Sequence, residues 1–271
     1  MDILYTCGMW GMVPSDPAGA FPRIKEAGYD LVSLRAPASV EAVRPILDLA
    51  RSLGLRLVGQ FSTFGADADA HIRSFREFLP RLTAFEPLLV NSQTGSDFFA
   101  HADNVRIMSE MDVIARDAGL VLAHETHRGR GTFTIPATLR LLEELPDTWL
   151  TADFSHWCVV HECLLEDRRA LLDQIIPRAV NIHARVGHAE SPQVSDPRAP
   201  EWQAAVDAHV AWWDAIVGAN RARGAKILTV HPEFGPPGYM PTLPFTDVPV
   251  SDLFAINRSM KDRLKPRWAK V

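Results

Sequence analysis

Short apolar runs rich in aliphatic and β-branched residues recur along the chain, and a helical pattern of apolar positions follows most of them. Runs of this length with turn residues at their ends are typical of buried strands. A strand followed by a helix, repeated many times, indicates a parallel sheet with helical crossovers. The eight predicted strands cover residues 3–7, 29–34, 55–60, 87–91, 120–125, 149–153, 179–183 and 227–233.

Three of the intervening segments carry clear helical stripes, in which apolar residues lie three and four positions apart. The first stripe lies between Ser39, a candidate N-cap, and Gly54, although Pro45 can displace its start. The second stripe covers residues 105–118 and the third covers residues 201–223, and each is closed by a glycine. The order of helix, glycine and buried strand indicates repeated βα units.

Eight βα units in 271 residues predict a single (β/α)8 TIM barrel that spans residues 1–271. The main alternative is an open doubly wound sheet. A nucleotide-binding sheet of that kind would carry a glycine-rich phosphate loop after its first strand, whereas this chain has "CGMWGM" there. We therefore favour the closed barrel.

Two proline-rich segments interrupt this order, at residues 187–200 and 235–250, after the seventh and eighth predicted strands. Their proline content predicts loops rather than helices. In a barrel they would lie on the carboxyl-terminal face, where active sites are built. The alternative is that they are plain surface loops or contacts between subunits.

Composition narrows the class of protein. The net charge is −5, from 28 basic and 33 acidic residues, which argues against a protein that follows a nucleic-acid backbone. Three irregularly spaced cysteines indicate a reducing compartment. The first residues do not form a signal peptide, and no apolar run approaches the length of a membrane span. We expect a soluble cytoplasmic protein without membrane or nucleic-acid partners.

Four consecutive predicted strands end in a carboxylate or an imidazole. The four residues are Glu125, Asp153, His183 and Glu233. A single acidic residue after a strand is commonly an N-cap or a surface group, but four at adjacent barrel positions need a positive partner. Three carboxylates and one imidazole suit a hard divalent cation better than a structural zinc ion with thiolate ligands. We predict one bound divalent ion, with Mn²⁺ favoured and Mg²⁺, Co²⁺ and Zn²⁺ as alternatives.

Several histidines surround the same strand ends, and we expect some of them to contact substrate and others to be core residues. Side chains alternate between the two faces of a strand. His231 therefore points to the same side as Glu233, one layer deeper, whereas His124 points away from Glu125.

Four motifs carry a resemblance to a known family. The segments "HETHRGRGTFT", "LTADFSH", "NIHARVGH" and "VHPEFGP", in this order, resemble the xylose isomerase-like TIM-barrel superfamily, in particular its sugar (phosphate) isomerase/epimerase branch. The resemblance covers most of the chain. It implies that Glu125, Asp153, His183 and Glu233 are the metal ligands. It also implies that His156 and Arg185 contact substrate oxygens.

The chemistry that the resemblance implies is isomerisation or epimerisation of a sugar or keto-sugar through an enediolate. A divalent ion acidifies the C–H bond beside the carbonyl group, and a carboxylate removes the proton. Glu125 and Glu233 would be the acid/base pair. His127 and His188 are further candidate substrate contacts, and Trp10 is a candidate apolar wall for the sugar or, alternatively, a barrel plug. Such enzymes are often homodimers or homotetramers.

Three other functions remain open at this point. The first is a metal-dependent lyase or dehydratase on a keto-polyol or keto-acid, which would expel a β-hydroxyl group with the same bases. The second is a phosphodiesterase of the endonuclease IV type, although the acidic balance of the chain weighs against it. The third is a non-catalytic accessory subunit. We favour an unphosphorylated carbohydrate, because nothing in the sequence resembles a glycine-rich phosphate site.

Overall fold

Eight parallel strands close into a barrel in chain order in the computed structural model, which describes residues 1–269. The first strand pairs with both the second and the eighth, so the sheet has no open edge. The strands are β1 (Asp2–Gly8), β2 (Leu31–Arg35), β3 (Arg56–Ser62), β4 (Leu89–Gln93), β5 (Leu122–Glu125), β6 (Leu150–Ala152), β7 (Ala179–His183) and β8 (Ile227–His231). All eight predicted strands and the (β/α)8 barrel are confirmed, and the open sheet is wrong.

Helices surround the barrel. They are α1 (Pro17–Glu26), α2 (Val43–Ser52), α3 (Ala68–Ala84), α4 (His101–Asp117), α5 (Ile135–Glu144), α6 (Ser155–Val160), α7 (Arg169–Ile175), α8 (Gln203–Ala222) and α9 (Leu253–Ala269). The three predicted helices are present, but the first begins at Val43 rather than after Ser39. Pro45 explains this difference, because a start at Val43 places it in the first turn, where its missing N–H group costs no helical hydrogen bond.

The interior of the barrel changes from apolar to polar along its axis. Near its amino-terminal end, four buried residues pack together: Leu31, Val58, Leu89 and Ala123. One layer higher, the Asn181 amide donates to Thr151 Oγ1 at 3.2 Å and accepts from Thr229 Oγ1 at 2.7 Å. Above these two layers, at the carboxyl-terminal end, Glu125 and His183 close β5 and β7. Because side chains alternate along β2–β8, polar residues near the carboxyl ends of these strands point into the barrel at that end.

Both proline-rich segments lack α-helix, as predicted, and the first ends in a 3-10 turn at Pro200–Trp202. The second contains two isolated bridges, Pro237 to Met240 and Thr242 to Pro249. These bridges fold the loop over the carboxyl-terminal face of the barrel. Among residues 1–269, no helix has the length and apolar character that crossing a membrane requires.

Candidate metal and substrate site

The four predicted metal ligands lie together at the carboxyl-terminal end of the barrel. Glu125 and His183 are the last residues of β5 and β7, and Asp153 and Glu233 follow β6 and β8 directly. One possible ligand atom from each residue lies within 4.8 Å of those of the other three. Three of the four side chains are buried, and Glu233 is 14% exposed.

His183 is the centre of this group. Its Nδ1 atom lies 2.7 Å from Glu233 Oε2, 3.6 Å from Glu125 Oε1 and 3.9 Å from an Asp153 oxygen. Neither ring nitrogen has a hydrogen-bond partner among the described residues, although the ring is buried. A buried nitrogen that faces three carboxylate oxygens without hydrogen-bond geometry suits a shared cation. Three oxygen donors and one imidazole nitrogen therefore fit a divalent ion.

The electrostatics of the group also favour a cation. Burial alone would lower the pKa of His183, but the charges of Glu233 and Glu125 raise it to about 10. Burial raises the pKa of Asp153 to about 6, against the opposing effect of Arg185. The three carboxylates thus concentrate enough negative charge to hold a positive one among them.

Arg185 is fully buried and offsets part of the negative charge of the carboxylates. Its guanidinium group forms an ion pair with Asp153, donates to Ser155 Oγ at 3.1 Å and lies 2.7 Å from His156 Nε2. Because arginine only donates, His156 accepts through Nε2 and carries its proton on Nδ1, which has no partner among the described residues. Burial, followed by the charge of Arg185, holds the pKa of His156 well below its usual range.

A cavity of about 550 Å³ opens beside the metal ligands. The side chains around it come from most of the strands and from the loop after β8. They include Trp10, Ser33, Arg35, Gln60, Ser62, Gln93, Glu125, His127, Arg185, His231, Glu233 and Tyr239. The cavity is large enough for a small polar ligand and places it against two of the four candidate ligands.

The remaining predicted contacts divide between this cavity and the surface. His127 lines the cavity and its ring lies 3.8 Å from that of His156. Trp10 forms part of the rim, edge-on to Tyr239 at 5.1 Å. His188 lies elsewhere, because a backbone bridge to Ser191 turns the chain and its ring packs on Trp202 at 4.7 Å.

The two predictions from strand alternation are correct. His124 points out of the barrel, where it contacts Thr94 Oγ1 at 2.6 Å and Asp112 Oδ1 at 3.1 Å. His231 lines the cavity, and its ring lies 5.1 Å from that of His183.

Sequence reasoning missed a chain of hydrogen bonds that reaches Glu125 from the opposite side. Asn91 Nδ2 donates to Glu125 Oε2 at 2.7 Å and to Gln60 Oε1 at 2.9 Å. Gln60 Nε2 in turn donates to Ser33 Oγ at 2.6 Å. Polar residues at every second position of β2, β3 and β4 were the available signal, because such residues share one face of a strand.

Sequence reasoning also missed Tyr239. Its ring lies 4.7 Å from the Arg185 guanidinium group and 5.5 Å from that of Arg128, so it roofs the cavity. Tyr239 belongs to an irregular loop with no periodic pattern, and no signal in the sequence locates it.

No protein-family model matches the sequence, and no curated protein matches it either. Solved structures do share the fold, among them isomerases or epimerases, a dehydratase and an AP endonuclease. One is a xylose isomerase-like TIM-barrel protein from Mycobacterium smegmatis in complex with magnesium, with 12% identity, coverage of 98% of this chain and 96% of that chain, and a TM-score of 0.66.

Two further structures are similar over nearly their whole length. A D-tagatose 3-epimerase-like protein has 10% identity, coverage of 98% and 97%, and a TM-score of 0.63. The probable 3-DHS dehydratase from Bacillus anthracis has 15% identity, coverage of 97% and 98%, and a TM-score of 0.60. The chain therefore shares the TIM-barrel fold of these proteins.

Proposed function

We propose that this protein is a divalent-metal-dependent isomerase or epimerase that acts on a sugar or keto-sugar through an enediolate. The observation that carries the proposal is the convergence of Glu125, Asp153, His183 and Glu233 within 4.8 Å beside a polar cavity. The orphaned nitrogens of His183 strengthen it, because a cation would satisfy Nδ1.

A divalent ion held by these four residues, for which we favour Mn²⁺, would polarise adjacent substrate oxygens and stabilise the enediolate. The proton transfers would belong to the two glutamates. Glu125 and Glu233 line the cavity from β5 and from the segment after β8, so they approach a bound substrate from different strands. One carboxylate would remove the proton beside the carbonyl group and the other would return a proton.

Other residues of the chain would bind and orient the substrate. The neutral His156 is fully buried and is not one of the residues that line the cavity, but its Nδ1 N–H group has no partner among residues 1–269 and is the candidate donor to a substrate oxygen. Arg185 would offset negative charge that develops on that oxygen. Trp10 and Tyr239 cover the mouth of the cavity and provide the aromatic surface on which a sugar ring packs.

The test is exchange of solvent deuterium into a panel of ketoses and keto-sugars, together with metal analysis of the purified protein. We expect exchange at the carbon beside the carbonyl group that stops when the metal is chelated. Glu125→Gln and Glu233→Gln should each lower the exchange rate by about 100-fold or more, which is the usual contribution of a general acid or base. The matched control is Glu190→Gln, an exposed glutamate in the loop after β7.

Three results would contradict the proposal. The first is full exchange in both glutamine variants, and the second is exchange that does not depend on metal. The third is a product lighter than the substrate by one water, because isomerisation conserves mass and dehydration does not.

A further inference from the structure

The hydrogen-bond chain from Glu125 to Ser33 has a fixed direction. An ionised carboxylate only accepts, so Asn91 must face Glu125 with its NH₂ group. The second hydrogen of that group meets Gln60 Oε1, which turns the Gln60 NH₂ group toward Ser33. Ser33 Oγ therefore accepts from Gln60, and its own hydrogen remains available to donate into the cavity.

The neighbouring side chains also present donors. Ser62 Oγ donates to Gln93 Oε1 at 3.2 Å, which leaves the Gln93 NH₂ group available. Arg35 lies two residues beyond Ser33 on the same face of β2 and lines the same cavity. Cross-strand pairing aligns Arg35 with Gln60 and Ser62 with Gln93. The β2–β4 side of the cavity is thus a wall that presents free donors from Ser33, Arg35 and Gln93, although the buried Asn91 Oδ1 on the same side is an acceptor without a partner among residues 1–269.

The charges of the residues around the cavity also favour a ligand that accepts hydrogen bonds and carries negative charge. The three carboxylates of the metal group are matched by Arg185 and a divalent cation. Arg35 forms no ion pair within residues 1–269, and its guanidinium group lies over the Phe78 ring at 5.2 Å. Arg128, near Tyr239 at the mouth, has no ion pair in the described part of the chain either. Among the residues that line the cavity, Arg35 on β2 is therefore an arginine that no carboxylate compensates within residues 1–269, and it lies on a different strand from the four metal-ligand candidates.

We propose that Arg35, Ser33 and Gln93 form a subsite for a carboxylate group of the substrate, at the end of the cavity opposite the metal ligands. This rests on the proposed function and narrows its substrate class to a polyhydroxy acid, such as a keto-sugar that carries a terminal carboxylate. A carboxylate accepts only, and its two oxygens match the fork of a guanidinium group.

A carboxylate fits these donors better than a phosphate group does. Phosphate sites are commonly built from backbone N–H groups of a glycine-rich turn or from a helix amino terminus. Here the donors are three side chains, Ser33 and Arg35 on β2 and Gln93 at the end of β4, on either side of β3. One guanidinium group with neutral donors suits a planar monoanion.

The experiment measures binding by titration calorimetry to the metal-loaded protein, with gluconate and glucitol as probes. Gluconate has a terminal carboxylate where glucitol has a CH₂OH group, and the two molecules are otherwise the same. Neither has an aldehyde or ketone group to enolise, so the binding result does not depend on turnover. We expect gluconate to bind about 10- to 100-fold more tightly, the value of one charged hydrogen-bonded contact. Arg35→Gln should reduce this ratio to about one, because it removes that contact.

Two variants and a third probe complete the design. Arg35→Lys should keep part of the preference, since it keeps the charge and loses the fork. Arg44→Gln on α2 is the control at an exposed arginine outside the cavity and should keep the full ratio. Glucitol 6-phosphate tests the phosphate alternative.

Each contrary outcome overturns the subsite. Equal binding of gluconate and glucitol by the unmodified protein excludes it. A preference that survives Arg35→Gln would assign the carboxylate to the metal. Tighter binding of glucitol 6-phosphate, lost in Arg35→Gln, would assign the wall to phosphate. Failure of deuterium exchange, by contrast, would refute the proposed reaction and leave the binding ratio as measured.

Discussion

The strand ends on two sides of this barrel carry different kinds of side chains at the same level along the barrel axis. Strands β5 to β8 end in the charged group of three carboxylates and His183, almost entirely shielded from solvent. Strands β2 to β4 end in serine, glutamine and asparagine side chains, with Arg35 at the rim. The first side holds charges that require one another, whereas the second holds neutral groups that face the cavity.

This difference separates two tasks. Reactive charges gain strength where water is excluded, because the local dielectric constant is low. Neutral donors facing an open cavity can exchange a water molecule for a substrate oxygen at little cost. The two sides meet at the contact between Asn91 and Glu125, so the neutral side also orients one carboxylate of the charged side.

The largest loss of stability should come from removing the Asp153 carboxylate on the charged side. Asp153→Ala leaves the buried guanidinium group of Arg185 without its closest ion-pair partner, with only Glu233 Oε2 at 4.0 Å among the ion pairs of the described residues. We expect the free energy of unfolding to fall by about 3–5 kcal/mol, the cost of an uncompensated buried charge. Denaturant unfolding in the presence of a chelator measures it, so that loss of metal binding does not contribute.

The control for this prediction lies on the neutral side. Gln93→Ala removes a partly exposed amide and leaves no buried charge behind. Its cost should stay within about 1 kcal/mol, the value of one net hydrogen bond. Equal costs for the two variants would mean that the two sides do not differ as described.

The second prediction concerns acid sensitivity, because each side has a helix histidine that supports its loops. On the charged side, His209 Nδ1 donates to the Ala205 carbonyl and Nε2 accepts from the Gly187 N–H group at 3.2 Å. Burial lowers the pKa of His209 to about 4. The unfolded chain therefore binds this proton first as the pH falls, and folded-state stability is lost between pH 6.5 and pH 4.

Between pH 7 and pH 5 this histidine should account for about 2 kcal/mol of lost stability. His209→Gln keeps an acceptor for Gly187 and removes the titration, so its stability should fall correspondingly less over that range. The counterpart on the neutral side is His71, whose pKa is also lowered, mainly by burial. Because His71→Gln keeps the His209 titration, its stability should fall more steeply over this pH range than that of His209→Gln, and the reverse order would contradict the assignment.

Much of this architecture follows from the sequence because β/α repetition fixes both topology and direction. Once eight strands form a parallel barrel, their carboxyl ends must converge, and a residue such as Asp153 is brought to Glu125 without any local signal. Strand alternation then separates His124 from Glu125, as the structure confirms.

The features of the site that cannot be predicted from the sequence are those that depend on contacts between distant segments of the chain. Tyr239 reaches the cavity because two bridges fold its loop, and neither bridge has a periodic pattern. His188 turns toward Trp202 for a similar reason. Asn91 was included in a predicted strand, yet a single polar residue does not reveal its partner on the next strand.

The smallest effect should come from the contact that joins the two sides. Asn91→Leu removes the donor that holds Glu125 Oε2 and so leaves the carboxylate free to rotate away from His183. We expect metal affinity, measured by calorimetry with Mn²⁺, to fall by about 10-fold, as for other residues that orient a metal ligand. Asn181→Leu is the matched control, since Asn181 is also buried in the barrel but bonds only to threonines one layer below. If both variants weakened metal binding equally, loss of packing rather than orientation of Glu125 would be the cause.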